Sequence, residues 1–307
     1  MRNAFADELT KLAQQDSRIV LLSGDIGNKL FDNFKGVDER RFYNCGIAEA
    51  NMMGVAAGMA LSGLRPVVYT ITPFTTARCF EQIRVDVCYH KVPVVIVGTG
   101  SGLSYAELGP THHSLEDIAI LRTLPGMSVM APCDAVELRL ALQAAMLEDS
   151  PAYIRIGKKG EPVIHIQRPD FKIGRAIVVR EGHDVALLST GTIMPEVLKA
   201  AEILQDQGIS VEVVSFHTIK PLDTDYLAVA SSRFKLVATI EEHGLIGGLG
   251  SAVAEWRAMD NIAAPLLRFG TPDEFMHEVG SQDYGRAKYG LTSGDISARI
   301  VAALGRA

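Results

Sequence analysis

Two kinds of apolar pattern alternate along this chain. The runs "RIVLLSGDI" (18–26), "RPVVYTI" (65–71), "VPVVIVGTG" (92–100) and "MSVMAP" (127–132) are short and nearly continuous. Such runs, rich in β-branched residues, suit strands buried on both faces. Between them, 48–61, 75–90, 114–123 and 134–148 carry apolar residues at helical spacing, and "MRNAFADELTKLAQQD" at the start reads as an amphipathic helix. Buried strands alternating with helices predict a parallel, doubly wound sheet. From 157 to 174 the pattern lapses into "GKKGEPVIHIQRPDFKIG", a polar stretch with two prolines that reads as a linker. A second series follows, with strands expected at 184–191, 209–216, 234–243 and 264–270 and helices at 194–207, 248–259 and 294–305. The expected architecture is two tandem doubly wound α/β domains, 1–157 and 175–307, joined by 158–174.

Open α/β sheets bind ligands at the carboxyl ends of their strands. That directs attention to Asp25, Thr72 to Phe74, the 98–113 loop, His217 and the 241–250 turn. Composition narrows the field further. The 307 residues are 48% hydrophobic and 21% charged, with a net charge of −6. This balance argues against nucleic acid or an anionic membrane as partner. The four cysteines form no CxxC pair, so no metal site and no disulfide framework is expected. No stretch approaches the roughly 18 apolar residues of a membrane span, and the N-terminus lacks a signal-peptide core. A soluble, cytoplasmic protein is expected.

The motifs are weak singly. "GTGSGL" puts Leu103 where a dinucleotide fingerprint needs its third glycine, and no GK[ST] follows for a phosphate loop. His112 and His113 stand side by side in a long loop. Most loop histidines are structural, but one beside a Gly-Pro turn at a strand end is an acid/base candidate. Phe74 precedes its helix, next to Pro73, where it could offer a stacking face; Phe80 and Arg78 lie nearby. "EEHGLIGGLGSAVAE" (241–255) could hold an anion at a helix start, although Glu241 and Glu242 make it acidic. Glu49 opens an apolar helix crowded with Gly46, Gly54, Gly58 and Gly63. A carboxylate suits the positive end of any helix, which leaves that crowding unexplained.

The order of these segments is more telling. "GIAEANMMGVAAGMALSGLRPVV", "FTTARCFEQIRVDV", "VPVVIVGTGSGL", "GPTHHSLEDIAILRTLPGMSVMAPCDAVEL", "PAYIRIGKKG" and "TIEEHGLIGGLGSAVAE" together resemble the transketolase and deoxyxylulose-phosphate synthase family. The resemblance runs from about residue 2 to 300 and covers only the second half of those enzymes, the pyrimidine-binding and C-terminal domains. It implies thiamine diphosphate as cofactor. The GDG segment that carries the diphosphate and Mg²⁺ in the family has no counterpart here. The chain therefore looks like the small subunit of a split, two-chain transketolase. A large subunit would supply the metal ligands, and an α₂β₂ assembly is implied.

The resemblance also assigns residues. Glu49 matches the glutamate that hydrogen-bonds N1′ of the aminopyrimidine and favours the tautomer that activates the cofactor. Phe74 corresponds to the aromatic that stacks on the pyrimidine, with Phe80 and Arg78 as secondary cofactor-binding candidates. Asp25 matches an aspartate at a strand end near the subunit interface. His112 matches a histidine that contacts the ketose and assists proton transfer. Arg155 and Arg2 fall near arginines that grip a substrate phosphate. Leu108 stands where the family usually has an aspartate before GPTH, which points away from the standard pentose phosphates. The implied reaction moves a two-carbon ketol unit from a ketose phosphate to an aldose. Two alternatives share the plan: the β subunit of a 2-oxoacid dehydrogenase, against which the GPTH stretch argues, and a non-catalytic assembly subunit, against which Glu49 and His112 argue. A free-standing nicotinamide dehydrogenase lacks its glycine fingerprint.

Overall fold

Alternation of buried strands and helices builds two sheets. The computed structural model describes residues 1–259, 262 and 265–305. The strands are β1 (Ile19–Ser23), β2 (Phe42–Asn44), β3 (Arg65–Ile71), β4 (Val95–Thr99), β5 (Ser128–Met130), β6 (Ala152–Ile156), β7 (Ile177–Arg180), β8 (Val185–Thr190), β9 (Val211–Ser215), β10 (Thr218–Lys220), β11 (Leu236–Gly244) and β12 (Leu266–Thr271). The first sheet has the order β10-β5-β6-β4-β3-β1-β2 and the second β12-β11-β8-β9-β7. Pairing is parallel except at two edges, where β10 runs antiparallel to β5 and β7 antiparallel to β9. The fold is thus the expected mixed α/β pair of mostly parallel sheets.

The central strands β1, β4, β6, β8 and β9 are buried throughout; the apolar runs of β1, β4 and β8 suit that, whereas β6 and β9 also bury Arg155 and Glu212. Helices Glu49–Leu61 and Ala135–Leu147 lie in separate apolar clusters that include first-sheet strand residues. Helices Met194–Asp206 and Ser293–Leu304 share a third cluster with β8, β9 and β11. The expected strand at 264–270 is found as Leu266–Thr271, and position 264 itself lies outside the described residues.

Four departures from the sequence reading matter. The helix expected over 75–90 is broken into Thr72–Thr75, Ala77–Cys79, Phe80–Gln82 and a π-helical segment Ile83–Tyr89. The breaks fall at Thr76 (φ −115°, ψ −74°), three residues after Pro73, and at Cys79, whose backbone leaves the helical region (φ −122°, ψ 27°). Strand β6 was not anticipated, because "AYIRI" carries an arginine in a buried run. The helix Thr224–Arg233 and the edge strands β2, β7 and β10 were also missed. Strand β10 crosses the expected boundary: it follows β9 of the second sheet in sequence but completes the first sheet.

Candidate active site

The carboxyl ends of β1 to β4 deliver four polar segments to one place. At the end of β1, Asp25 adopts a left-handed backbone (φ 54°), a strained conformation for a residue other than glycine. It is exposed and accepts from Asn44 Nδ2 at 2.9 Å, and Asn44 Oδ1 accepts from Gly46 N at 3.0 Å. Asp25 thereby fixes the turn that leads from β2 into the Glu49 helix.

Glu49 is the first residue of the helix Glu49–Leu61 and is 5% exposed. Arg78 Nη1 lies 3.4 Å from both of its oxygens. The same guanidinium sits over the Phe74 ring, its Cζ 3.8 Å from the centroid. Phe74 meets His112 edge-on, with centroids 5.2 Å apart, and Tyr105 approaches His112 from another side at 6.2 Å. Glu49, Arg78, Phe74 and His112 therefore form one continuous string.

Local chemistry explains the placement. Thr72 Oγ1 donates to Thr99 O and Thr76 Oγ1 to Thr72 O, which pins the short helix after β3 beside the end of β4. Phe74 sits on that helix, half-buried, whereas Phe80 packs against the apolar cluster behind it. The structure thus separates the two aromatics: Phe74 joins the string and Phe80 serves the core. His112 engages Thr111 Oγ1 through Nδ1 at 2.9 Å. Partial burial and the nearby Arg78 cation hold its imidazole below the ordinary value. His113 turns inward and is 4% exposed, so the two adjacent histidines face different surroundings.

Arg155 requires a correction. The resemblance placed it at a substrate phosphate, but it is 2% exposed and lies within β6 beside Gly98. Its Nε donates to Asp117 Oδ2 at 2.8 Å, and its Nη2 to Ser114 O at 2.5 Å and Glu242 O at 2.9 Å. Burial alone would raise the Asp117 carboxyl, but Arg155, His243, Tyr153 and Ser114 together outweigh it and hold Asp117 below the usual range. Arg155 is a buried structural cation. Arg2 is half-buried in the first helix and donates to Tyr69 Oη at 3.1 Å, away from the string's own contacts.

Two anion sites weighed from the sequence are already filled by the chain. Leu249 N and Gly250 N at the helix start after β11 donate to Glu241 at 2.7 and 2.8 Å. In the GTGSG stretch, Gly100 N and Ser101 N donate to Ile156 O, and Leu103 N donates to Glu242 Oε1 at 2.6 Å. Sequence reading gave no site role to Tyr105, Asp117, Glu242 or Arg286; Asp117 and Glu242 find their partners tens of residues away, in Arg155, Leu103 and Arg286. It also missed Cys133, Glu137 and His165, which come together as three groups of metal-ligating type. There Glu137 Oε1 engages His165 Nε2 at 2.8 Å and Oε2 accepts from Cys133 N at 2.7 Å.

With this geometry in hand, comparison with known proteins is direct. Residues 1–161 match the model of the transketolase pyrimidine-binding domain, and 174–296 that of the transketolase C-terminal domain. A 6-deoxy-6-sulfo-D-fructose transketolase subunit from Clostridium sp. is 39% identical, with 96% of this chain and 92% of the relative covered. One of the subunits of an apulose-4-phosphate transketolase from Phocaeicola vulgatus is 35% identical over 94% of each chain. A 1-deoxy-D-xylulose-5-phosphate synthase from Synechococcus sp. is 39% identical, and the match spans only 46% of that protein. Among solved structures, a split-gene transketolase described as an inactive β4 tetramer superposes with a TM-score of 0.89 at 37% identity, covering 99% of this chain and 97% of that one. No helix among the described residues is long and apolar enough to cross a membrane.

Proposed function

We propose, from the premise that this chain belongs to the transketolase family, that it is the small subunit of a two-chain thiamine diphosphate-dependent transketolase. The observation that carries this reading is the double contact of Arg78. Its flat guanidinium bonds the buried Glu49 carboxylate and stacks on Phe74 at the same time. An aminopyrimidine is also flat and hydrogen-bonding, and would make the same pair of contacts. Arg78 is 49% exposed, so it can yield that position to a ligand.

When bound, thiamine diphosphate supplies an acidic carbon as nucleophile and an electron sink for the broken C–C bond. Glu49 would share a proton with N1′ of the pyrimidine, in a position that burial shelters from water. Phe74 would fix the plane of the ring. His112 would move protons at the hydroxyls of the sugar, within reach of the same ring face. Asp25 would hold the turn before Glu49 in place.

The reaction proposed is transfer of a two-carbon ketol unit from a ketose to an aldose. Relatives named for a sulfonated and a phosphorylated sugar support an anionic ketose as donor. The diphosphate domain and the Mg²⁺ ligands would come from a large subunit in an α₂β₂ assembly. Ile47, two residues before Glu49, is 81% exposed, and Leu61 at the far end of the same helix is 65% exposed. One beside the site and one at the far end of its helix, these exposed apolar positions support a partner-covered face. The inactive β4 assembly of a 37% identical chain supports the same requirement. A cytoplasmic location is part of this proposal.

Reconstitution tests it. The chain is assayed with and without a large subunit, with thiamine diphosphate and Mg²⁺, on a panel of ketose phosphates, ketose sulfonates and aldehydes. The expected result is ketol transfer only in the mixture, lost on Glu49→Gln. Turnover by this chain alone, or full activity of Glu49→Gln in the mixture, would overturn the reading. Pyruvate turnover instead of ketol transfer would favour the dehydrogenase subunit.

A further inference from the structure

The loop that carries His112 is closed at a neck. Ser114 N donates to Gly102 O at 2.9 Å, and the two residues form an isolated antiparallel bridge. Tyr105 and His112 lie between them. Both sides of this neck are held by the second sheet. On one side, Leu103 N donates to Glu242 Oε1 at 2.6 Å. On the other, Arg155 Nη2 bridges Ser114 O and Glu242 O.

Glu242 belongs to β11 and is 1% exposed. Its Oε2 takes Arg286 Nε at 2.6 Å, and its Oε1 also takes Gln282 Nε2 at 2.8 Å. Gln282 reaches on to Ser104 Oγ at 3.4 Å. Gly102 has a left-handed φ of 59°, and a Cβ there would stand 2.4 Å from Glu242 Oε1. The neck is therefore shaped around this one carboxylate. A buried charge is retained only where it is paired and hydrogen-bonded, and Glu242 directs its bonds to the His112 loop and to the helix Gln282–Lys288.

We infer that Glu242 is a positioning residue. It transmits the placement of the second sheet to His112 and holds the imidazole against Phe74. Glu242 and Arg286 form a latch, and Arg155 closes the other side of the neck. The inference rests on the proposed role of His112 for its catalytic consequence, whereas the latch itself stands on geometry alone. It also gives the C-terminal sheet a task in a site whose Glu49, Phe74 and His112 all come from the first half of the chain. Misplacement of a catalytic group by about 1 Å can cost two orders of magnitude in rate.

Hydrogen exchange on the full chain tests the latch without any activity. Glu242→Gln keeps the shape but loses the charge that binds Arg286; Arg286→Gln removes the other half. Each is expected to speed exchange of the amides of 103–113 about fivefold or more, with the helix Glu49–Leu61 unchanged. In the reconstituted enzyme each is expected to lower kcat about tenfold while KM for the sugar is largely kept. Should Glu242→Gln fail to fold, Arg286→Gln carries the test. Unchanged loop exchange in the folded variants would overturn the inference, and so would faster exchange spread evenly over both sheets. A localised exchange change in a mixture that shows no ketol transfer would keep the latch and reject the proposed function.

Discussion

His112 sits where its charge is discouraged. Partial burial disfavours the imidazolium, and the Arg78 cation adds to that. If His112 carries protons in the reaction, the acid limb of kcat/KM falls below the ordinary imidazole value of 6.5. In the chain without cofactor, Arg78→Gln removes the nearby cation and moves the His112 titration upward, which an NMR pH titration reads directly. The pH profile of the reconstituted enzyme locates the acid limb, and a limb at or above 6.5 would assign it to another group. Glu49, Phe74 and His112 stood out as candidates in the sequence because each lies beside a local signal, a helix start, a Pro turn and a Gly-Pro loop, and the fold brings them together. Arg155 was misread for the opposite reason. Within "AYIRI" nothing announces Asp117, 38 residues earlier, and only the fold shows the guanidinium consumed by it.

At the scale of elements, caps and breaks decide what periodicity leaves open. Asp134 caps the helix Ala135–Leu147 through Val136 N and Glu137 N, and its second oxygen accepts from Ile164 N and His165 N of the linker. One buried side chain thus ends a helix and binds the chain that joins the sheets. Asp134→Ala leaves these amides without their partner and is expected to destabilise the fold by about 2–4 kcal/mol. A urea midpoint shifted by less than about 1 kcal/mol equivalent would show that water replaces the carboxylate there. The "SxxE" style of signal was present as "DAVE", but its second use, on the linker, was not visible. The broken helix over 72–89 shows a similar limit. Apolar spacing predicted one helix, whereas the chain forms short pieces ending in the π-helical segment Ile83–Tyr89, which packs against the Glu49 helix.

The whole molecule is held together across its two sheets. Strand β10 completes the first sheet, and the linker is clasped by His165 on Glu137. Burial opposes the charge on His165, but Glu137 and Asp134 outweigh it and raise its pKa. Burial likewise opposes ionised Glu137, but His165, His217, the Cys133 amide and Ser215 together outweigh it, so that carboxyl is lowered. The histidine's contribution is full below its ordinary 6.5 and is lost as pH rises through its raised value. The carboxyl's is present above its ordinary 4.5 and is lost as pH falls through its depressed one. Thermal stability is therefore expected to decline on the alkaline side of His165's raised pKa, and His165→Gln should flatten that decline. A Tm profile between about pH 5 and 9 measures it, and an unchanged slope in the variant would remove the clasp from the account. By itself the sequence determined the class of fold and the order of the main strands and helices, because these are written in local periodicity, and it marked Glu49, Phe74 and His112 as candidates through the turns beside them and the family resemblance. The tertiary structure decided which strand completes which sheet, that Arg155 is buried, and that Glu242 holds the His112 loop. Those contacts join residues far apart in the chain, and a buried charge is explained only by the partner that folding brings to it.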